Sequence, residues 1–466
     1  MKRFLIVILT FALVCNAAQA RKVTGTVQSG KEKLSGVIVT DGKNFTETRK
    51  GKFAFDIEDD SEFVFIVTPA GYTADFSSGV PAFYIPADGC SKFNFELQKL
   101  GEAGDYSLIA VGDPQCKTEK QFKKFAGKPL QDICETAKGL ENVAAGIILG
   151  DICWDDLTYL ARYKKEIVRT GIPFYPVVGN HDHDRELKGD IETTGPYRKE
   201  MGPDNYAFFM GKDVVLSLDN IIYDTQKKYV EGYAPHVLQW VKGLMEHIPS
   251  DAVLYIAQHS PTMHWDRENK FHPGADELFD IIRGHTVYFV SGHTHINNNH
   301  KYGDNMYEHN VAALCGAWWD TKHCADGTPR GYKVYTKEDG RLSWYYKSVD
   351  YPKDFQVEIF DLGQTQGHPD SIVVNVWDWD ELWKIEWWQD GVNMGTPETV
   401  YVYSPLYQKE IGDVFTGKAK EMPKYKKPRL NYHYFAVTPS KSAEKVNIRI
   451  ESRFGEKWEY EIDLKK

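Results

Sequence analysis

Three textures of hydrophobic and polar positions follow one another along the chain. Over residues 21–100, KVTGTVQ, SGVIVTDG, GKFAFDIE and EFVFIVTPAGY are short runs of Val, Ile and Phe interleaved with polar residues and cut by Gly or charged turns. Alternation with period two predicts half-buried strands, and their density predicts a small β-sandwich domain. QKLGEAGD (98–105) reads as a linker. Over residues 105–350 the alternation disappears. SLIAVG, VAAGIILG, PFYPVVG, AVLYIAQ and TVYFVSG are continuous, as strands buried on both faces are, and DLTYLARYKKEIVRT, HVLQWVKGLMEHI and ADELFDIIR predict helices between them. That pattern predicts an α/β domain. Residues 351–466 return to strands and hairpins in SIVVNVWDWD, KIEWWQDGVNMG and KVNIRIESRFGEKWEYEIDL, with a turn at Asp390-Gly391.

Composition adjusts this picture in three places. A length of 466 residues exceeds one ordinary core, in keeping with several domains. The formal net charge of −10, without a basic run, excludes nucleic acid as a partner. Residues 1–20, MKRFLIVILTFALVCNAAQA, have the basic start, apolar run and Ala-Gln-Ala end of a secretory signal peptide cleaved after Ala20. The run is shorter than the roughly 20 residues of a stable transmembrane anchor. Val14 before Cys15 disfavours a lipoprotein form. The expected location is therefore periplasmic or cell-envelope. Six further cysteines form no CxxC pair and leave disulfide pairing open.

The histidines change the picture most. Thirteen of fifteen fall between residues 181 and 323. Five expected strands each end in a polar residue able to bind metal: Asp113 and Gln115, Asp151, Asn180-His181-Asp182, His259, and His293-Thr294-His295. The C-terminal edge of an open α/β sheet is where ligands bind, and Gly112, Gly150, Gly179 and Gly292 are expected to turn the backbone there. Asp, Asn and His without Cys suit Mn, Fe, Zn or Mg. Two such ions about 3.5–4 Å apart need a bridging carboxylate and serve displacement at phosphorus. The residues alone lead to metal-assisted hydrolysis of a phosphoester.

In order and spacing, Asp113-x-Gln115, Gly150-Asp151-(x)3-Asp155, Gly179-Asn180-His181-Asp182, His259 and Gly292-His293-Thr294-His295 resemble the calcineurin-like metallophosphoesterases. The flanking β domains resemble their exported bacterial three-domain subgroup. The resemblance implies two packed mixed sheets flanked by helices, with small all-β domains at both ends. It implies a first metal on Asp113, Asp151 and His295 and a second on Asn180, His259 and His293, bridged by Asp151. His181 would bind the phosphoryl group or protonate the leaving oxygen, with Asp182 orienting its ring. Gln115 departs from the family's usual His and would be a poorer metal ligand.

Asp155 is either a support of the metal loop or a helix N-cap. His264 is a rival to His259, His183 and Asp184 read as a solvated loop, and His285 reads as structural. Trp318 and Trp319 are either core or a substrate-stacking wall. The expected activity is phosphomonoester hydrolysis by a metal-bound hydroxide, on a sugar phosphate, nucleotide or lipid head group. Diester or diphosphate hydrolysis is the alternative on the same site, and an envelope-binding protein weakened by Gln115 the alternative of another class.

Overall fold

The computed structural model describes residues 20–263, 270–417 and 421–465. The expected signal segment, save Ala20, and His264 lie outside these residues. Among the described residues no helix is long and apolar enough to cross a membrane.

The N-terminal region holds two sheets. In the strand Lys92–Lys99, Phe93, Phe95 and Leu97 point inward while the intervening residues face water, the alternation that its sequence dictates. This strand pairs in parallel with Arg21–Ser29, which pairs antiparallel with Lys52–Ile57. A second sheet of Phe45–Glu47, Ile38–Thr40, Phe63–Ile66 and Tyr84–Pro86 accompanies it.

The middle of the chain builds a five-stranded and a six-stranded mixed sheet. In the first, Phe174–Pro176, Val143–Ile148 and Tyr106–Val111 run parallel, and the hairpin Gly331–Glu338/Arg341–Ser348 closes the edge. In the second, Asp213–Leu218, Val253–Gln258, Thr286–Ser291 and Met306–Asn310 run parallel in that order. Nearly every residue of these parallel strands is buried, which is why their sequences do not alternate. Buried polar contacts join the sheets: the Tyr106 hydroxyl donates to Asp213 Oδ2 (2.7 Å) and lies 2.9 Å from the Tyr255 hydroxyl. The expected helices form at Thr158–Ile167, Pro235–Met245 and Ala275–Ile281, burying Leu160, Trp240 and Leu278.

The C-terminal region is two four-stranded antiparallel sheets and a helix, Pro405–Phe415, capped by the Ser404 hydroxyl. Asp390 (φ 49°) and Gly391 (φ 83°) make the two-residue hairpin turn between Lys384–Gln389 and Val392–Gly395, as Asp-Gly predicts. The run SIVVNVWDWD is shorter as a strand than its sequence suggests. It ends at Asn375, because Trp377 and Asp378 turn into the contact with the middle region. There Lys333, fully buried, lies 2.8 Å from Asp378 Oδ1 and donates to Asn299 Oδ1 (2.6 Å).

Asp378→Ala leaves that ammonium buried and unpaired. The expected loss is about 3–5 kcal/mol of unfolding free energy, recovered in part by adding Lys333→Met. Urea unfolding of the single and double variants reads this. A loss below about 1 kcal/mol would place the pair among weak, solvated ones.

Candidate metal centre

Five strand ends meet where the two central sheets join. Tyr106–Val111 leads to Asp113 and Gln115, Val143–Ile148 to Asp151, and Phe174–Pro176 to Asn180 and His181. From the other sheet, Val253–Gln258 leads to His259 and Thr286–Ser291 to His293 and His295. Asp113, Asp151 and His259 bring ligand atoms within 4.8 Å of one another.

The backbone there is unusual. Of thirteen described non-glycine residues with positive φ, eight are Asp113, Gln115, Asp151, Asp155, His293, His295, Trp318 and Trp319. Left-handed backbone disfavours any side chain, and such strain gathers at functional sites. The glycines act partly otherwise than expected. Gly150 is left-handed (φ 83°), but Gly179 and Gly292 are needed for close approach. A Cβ on Gly179 would lie 2.1 Å from the Asp151 nitrogen, and one on Gly292 2.5 Å from Asp113 Oδ2.

Hydrogen bonds set which ring nitrogens face inward. His259 donates Nδ1–H to the Leu149 carbonyl (2.7 Å). Its Nε2 then lies 3.0 Å from both Asn180 Oδ1 and His293 Nδ1, and 3.3 Å from Asp151 Oδ1. His293 presents that Nδ1 because its Nε2 is 3.5 Å from Glu231. His295 has Nδ1 3.3 Å from the Gly316 carbonyl and Nε2 3.6 Å from Asp113 Oδ1. Orientation of a ligating imidazole by its second nitrogen is how proteins prepare metal sites.

The electrostatics divide the candidate ligands, because the Asp151 charge raises His259 to about 10 against its burial. Burial depresses His293, and His295 to about 3, keeping both imidazoles neutral, as ligands must be. Burial also lifts the Asp113 carboxyl. Asp151 resists the same burial because His259 and His181 face it, and its carboxyl is held low. Gln115 completes the set. Its Nε2 donates to Asp151 Oδ2 (2.8 Å), while its Oε1 is buried without a hydrogen-bond partner. An orphaned carbonyl costs about 1–3 kcal/mol and is a hard oxygen donor. These residues fit a divalent cation.

Several expectations need correction. Asp182 does not orient His181. Its carboxylate accepts backbone N–H groups of Ile152, Cys153 and Gly179 at 3.0–3.1 Å and ties two site loops together. The ring of His181 is instead held by Asp155 Oδ1, 2.7 Å from Nδ1, and Arg185 donates to both oxygens of that carboxylate. Asp155 is no N-cap, since the helix Thr158–Ile167 is preceded by Leu157. His183 is buried, not solvated: Nδ1 donates to the Gly179 carbonyl (2.9 Å) and the ring packs 4.7 Å from Tyr223. Asp184, partly exposed, accepts from the Glu186 N–H. His285 binds the Ala252 carbonyl, as a structural residue does.

The tryptophan pair divides. Both are buried: Trp319 puts Nε1–H on the Pro114 carbonyl (2.9 Å), whereas Trp318, 8% exposed, packs with Tyr407 and Ile411 and also stacks on His295 (4.3 Å, 21°). Glu231, Arg185 and Trp154 were not anticipated. Glu231 is isolated in sequence from the motifs it serves, whereas Arg185 directly follows His183-Asp184 and Trp154 sits inside Gly150–Asp155.

Family models match along the chain in order: the N terminal of calcineurin-like phosphoesterase over residues 21–100, calcineurin-like phosphoesterase over 106–297, and its C terminal over 308–458. The chain belongs to the calcineurin-like phosphoesterases. As such a phosphoesterase it is a metal-dependent phosphoric ester hydrolase. Solved structures similar to this phosphoesterase include a dimetal phosphatase from Danio rerio, at 12% identity over 52% of this chain and 96% of that one, TM-score 0.39. A 5′-nucleotidase from Candida albicans matches at 12% identity over 53% and 52%, TM-score 0.34. TT1561 of Thermus thermophilus matches at 12% over 52% and 98%, TM-score 0.33. No curated protein matches this chain.

Proposed function

We propose that this phosphoesterase is an exported phosphomonoesterase with a two-metal centre. Asp113, Asp151, His295 and the Gln115 carbonyl would hold one ion, and Asn180, His259 and His293 the other, with Asp151 shared. The observation that carries this reading is the convergence on His259 Nε2, which has Asn180 Oδ1, His293 Nδ1 and Asp151 Oδ1 within 3.0–3.3 Å. With Nδ1–H committed to Leu149, Nε2 is the point that these groups share, and they call for a positive charge there: the Asp151 charge raises His259 to about 10 against its burial, and a divalent cation would take the place of that proton. When bound, divalent ions would supply a water acidified toward neutral pH and neutralise charge on the phosphoryl oxygens.

The chain's own side chains do the rest. His181 donates from Nε2 to the leaving oxygen, oriented by Asp155 at Nδ1. The His181 backbone N–H fixes the Asp151 carboxylate (2.9 Å). Export is supported by the tripartite sequence of residues 1–20, and small phosphorylated molecules are the substrate class.

The test is hydrolysis of a chromogenic phosphomonoester and the matching diester by residues 21–466, stripped of metal and resupplied with manganese. Metal-restored turnover is expected, with the monoester cleaved at least about tenfold faster, about 1.4 kcal/mol of barrier. A faster diester would reassign the subclass, and absence of metal-dependent turnover on both would refute the centre. Chain recovered from exporting cells should begin at Arg21; an intact Met1 would overturn export.

A further inference from the structure

Beside the metal centre stands an aromatic wall built from three distant parts of the chain. Trp154 follows Asp151 on the same loop, and its ring lies 5.2 Å from that of His181. Trp318 stacks on His295 and lies 6.2 Å from Trp154. Tyr425 arrives from the C-terminal region and meets both edge-on, 4.6 Å from Trp318 and 6.0 Å from Trp154.

Tyr425 is 42% exposed, yet its ring rests on Trp318 and Trp154 and the chain that follows it is tied down. The Tyr407 hydroxyl donates to the Lys426 carbonyl (2.8 Å), Lys426 pairs with Asp320, and Arg429 donates to the Thr294 carbonyl within the His293–His295 loop (2.9 Å). A fixed, solvent-facing aromatic ring beside a reacting group is an anchor for a ligand, because it stacks without losing much conformational freedom. Lys117, 4.8 Å above the Trp154 ring, gives the wall a positive charge that favours an anionic ester. Direction follows from His181. If its ring serves the leaving oxygen, whatever that oxygen is bonded to lies toward Trp154.

We propose that Trp154, Trp318 and Tyr425 form the leaving-group subsite, and that the C-terminal region, through Tyr425, selects alcohols with a flat ring face, a nucleobase or a sugar ring. This rests on the phosphomonoesterase reading above. Tyr425 is a specificity residue and takes no part in the bond-breaking step.

The experiment compares kcat and KM of manganese-loaded wild type, Tyr425→Ala and Tyr425→Phe. Substrates are adenosine 5′-monophosphate, glucose 6-phosphate and phosphoethanolamine, which has no ring. For Tyr425→Ala, KM for a ring-bearing ester should rise about five- to tenfold, the size of one aromatic stacking contact. Its kcat should stay within about twofold, the signature of lost uniform binding. Phosphoethanolamine should be unaffected, and Tyr425→Phe should behave as wild type. A rise for the nucleotide alone names a base, for the sugar phosphate alone a sugar, and either supports the subsite. An equal rise for all three esters, or none, overturns it, provided that the melting midpoint shows the variant folded. Wild-type turnover of a chromogenic monoester with none of the three esters cleaved also overturns the leaving-group class. Loss of the chromogenic turnover as well would instead sink the hydrolase reading.

Discussion

Asp151→Ala is expected to empty the metal centre and remove hydrolysis. Asp151 is the carboxylate on which both halves of the site converge: Gln115 on Oδ2, and His259 and the His181 backbone N–H on Oδ1. Its side chain is almost completely buried, and a water entering the space it leaves would bring no charge to bridge the ligands. Without it Asp113 and His295 face Asn180, His259 and His293 across a gap that nothing neutralises. Metal content after dialysis should fall in both positions. Turnover should drop at least about 10³-fold, since in the proposed two-metal centre the lost ions would supply several kcal/mol of transition-state stabilisation. Asp151→Asn is the informative companion. An asparagine tolerates the left-handed backbone at this position (φ 48°) better than alanine, so folding is preserved while the bridging charge is lost. Two full equivalents of metal in either variant would show that Asp151 does not bridge.

The parts of the site visible in the sequence are those that follow directly from strand ends. A continuous apolar run such as VAAGIILG must be buried on both faces, so the polar residue that ends it, Asp151, sits at a sheet edge. The same reasoning located Asp113, Asn180, His259 and His293 without any knowledge of how the sheets pack. What stayed hidden depends on direction and on distance along the chain. Asp182 is adjacent to His181 and looked like its partner, but in a tight turn consecutive side chains diverge, and Asp182 turns to the backbone beneath. Asp155, 26 residues away, reaches the ring instead. Trp318 and Trp319 both have left-handed backbone, and their two buried rings part, one stacking on His295 and the other reaching the Pro114 carbonyl. Polar neighbours made His183 look solvated, yet they are the loop that folds over it. Glu231 and Tyr425 meet their partners only through tertiary packing, and no local pattern marks them.

His181→Ala is expected to slow turnover about 10²- to 10⁴-fold, the range of a positioned general acid, with bound metal unchanged. The geometry separates these two readouts. Only the backbone N–H of His181 touches Asp151, and alanine keeps it, whereas the ring is held away by Asp155 and is still partly exposed to solvent. Asp155→Asn should lose less, because the ring remains and only its orientation and charge support weaken. Combined with His181→Ala, it should lose nothing more, as expected of residues acting as a unit. Asp182→Asn behaves differently, since three backbone N–H groups lose a charged acceptor, so its first effect should be on the melting midpoint. Metal and turnover falling together in His181→Ala would move His181 among the ligands. Additive losses in the double variant would instead separate Asp155 from the ring, leaving Arg185 as the main group that carboxylate serves.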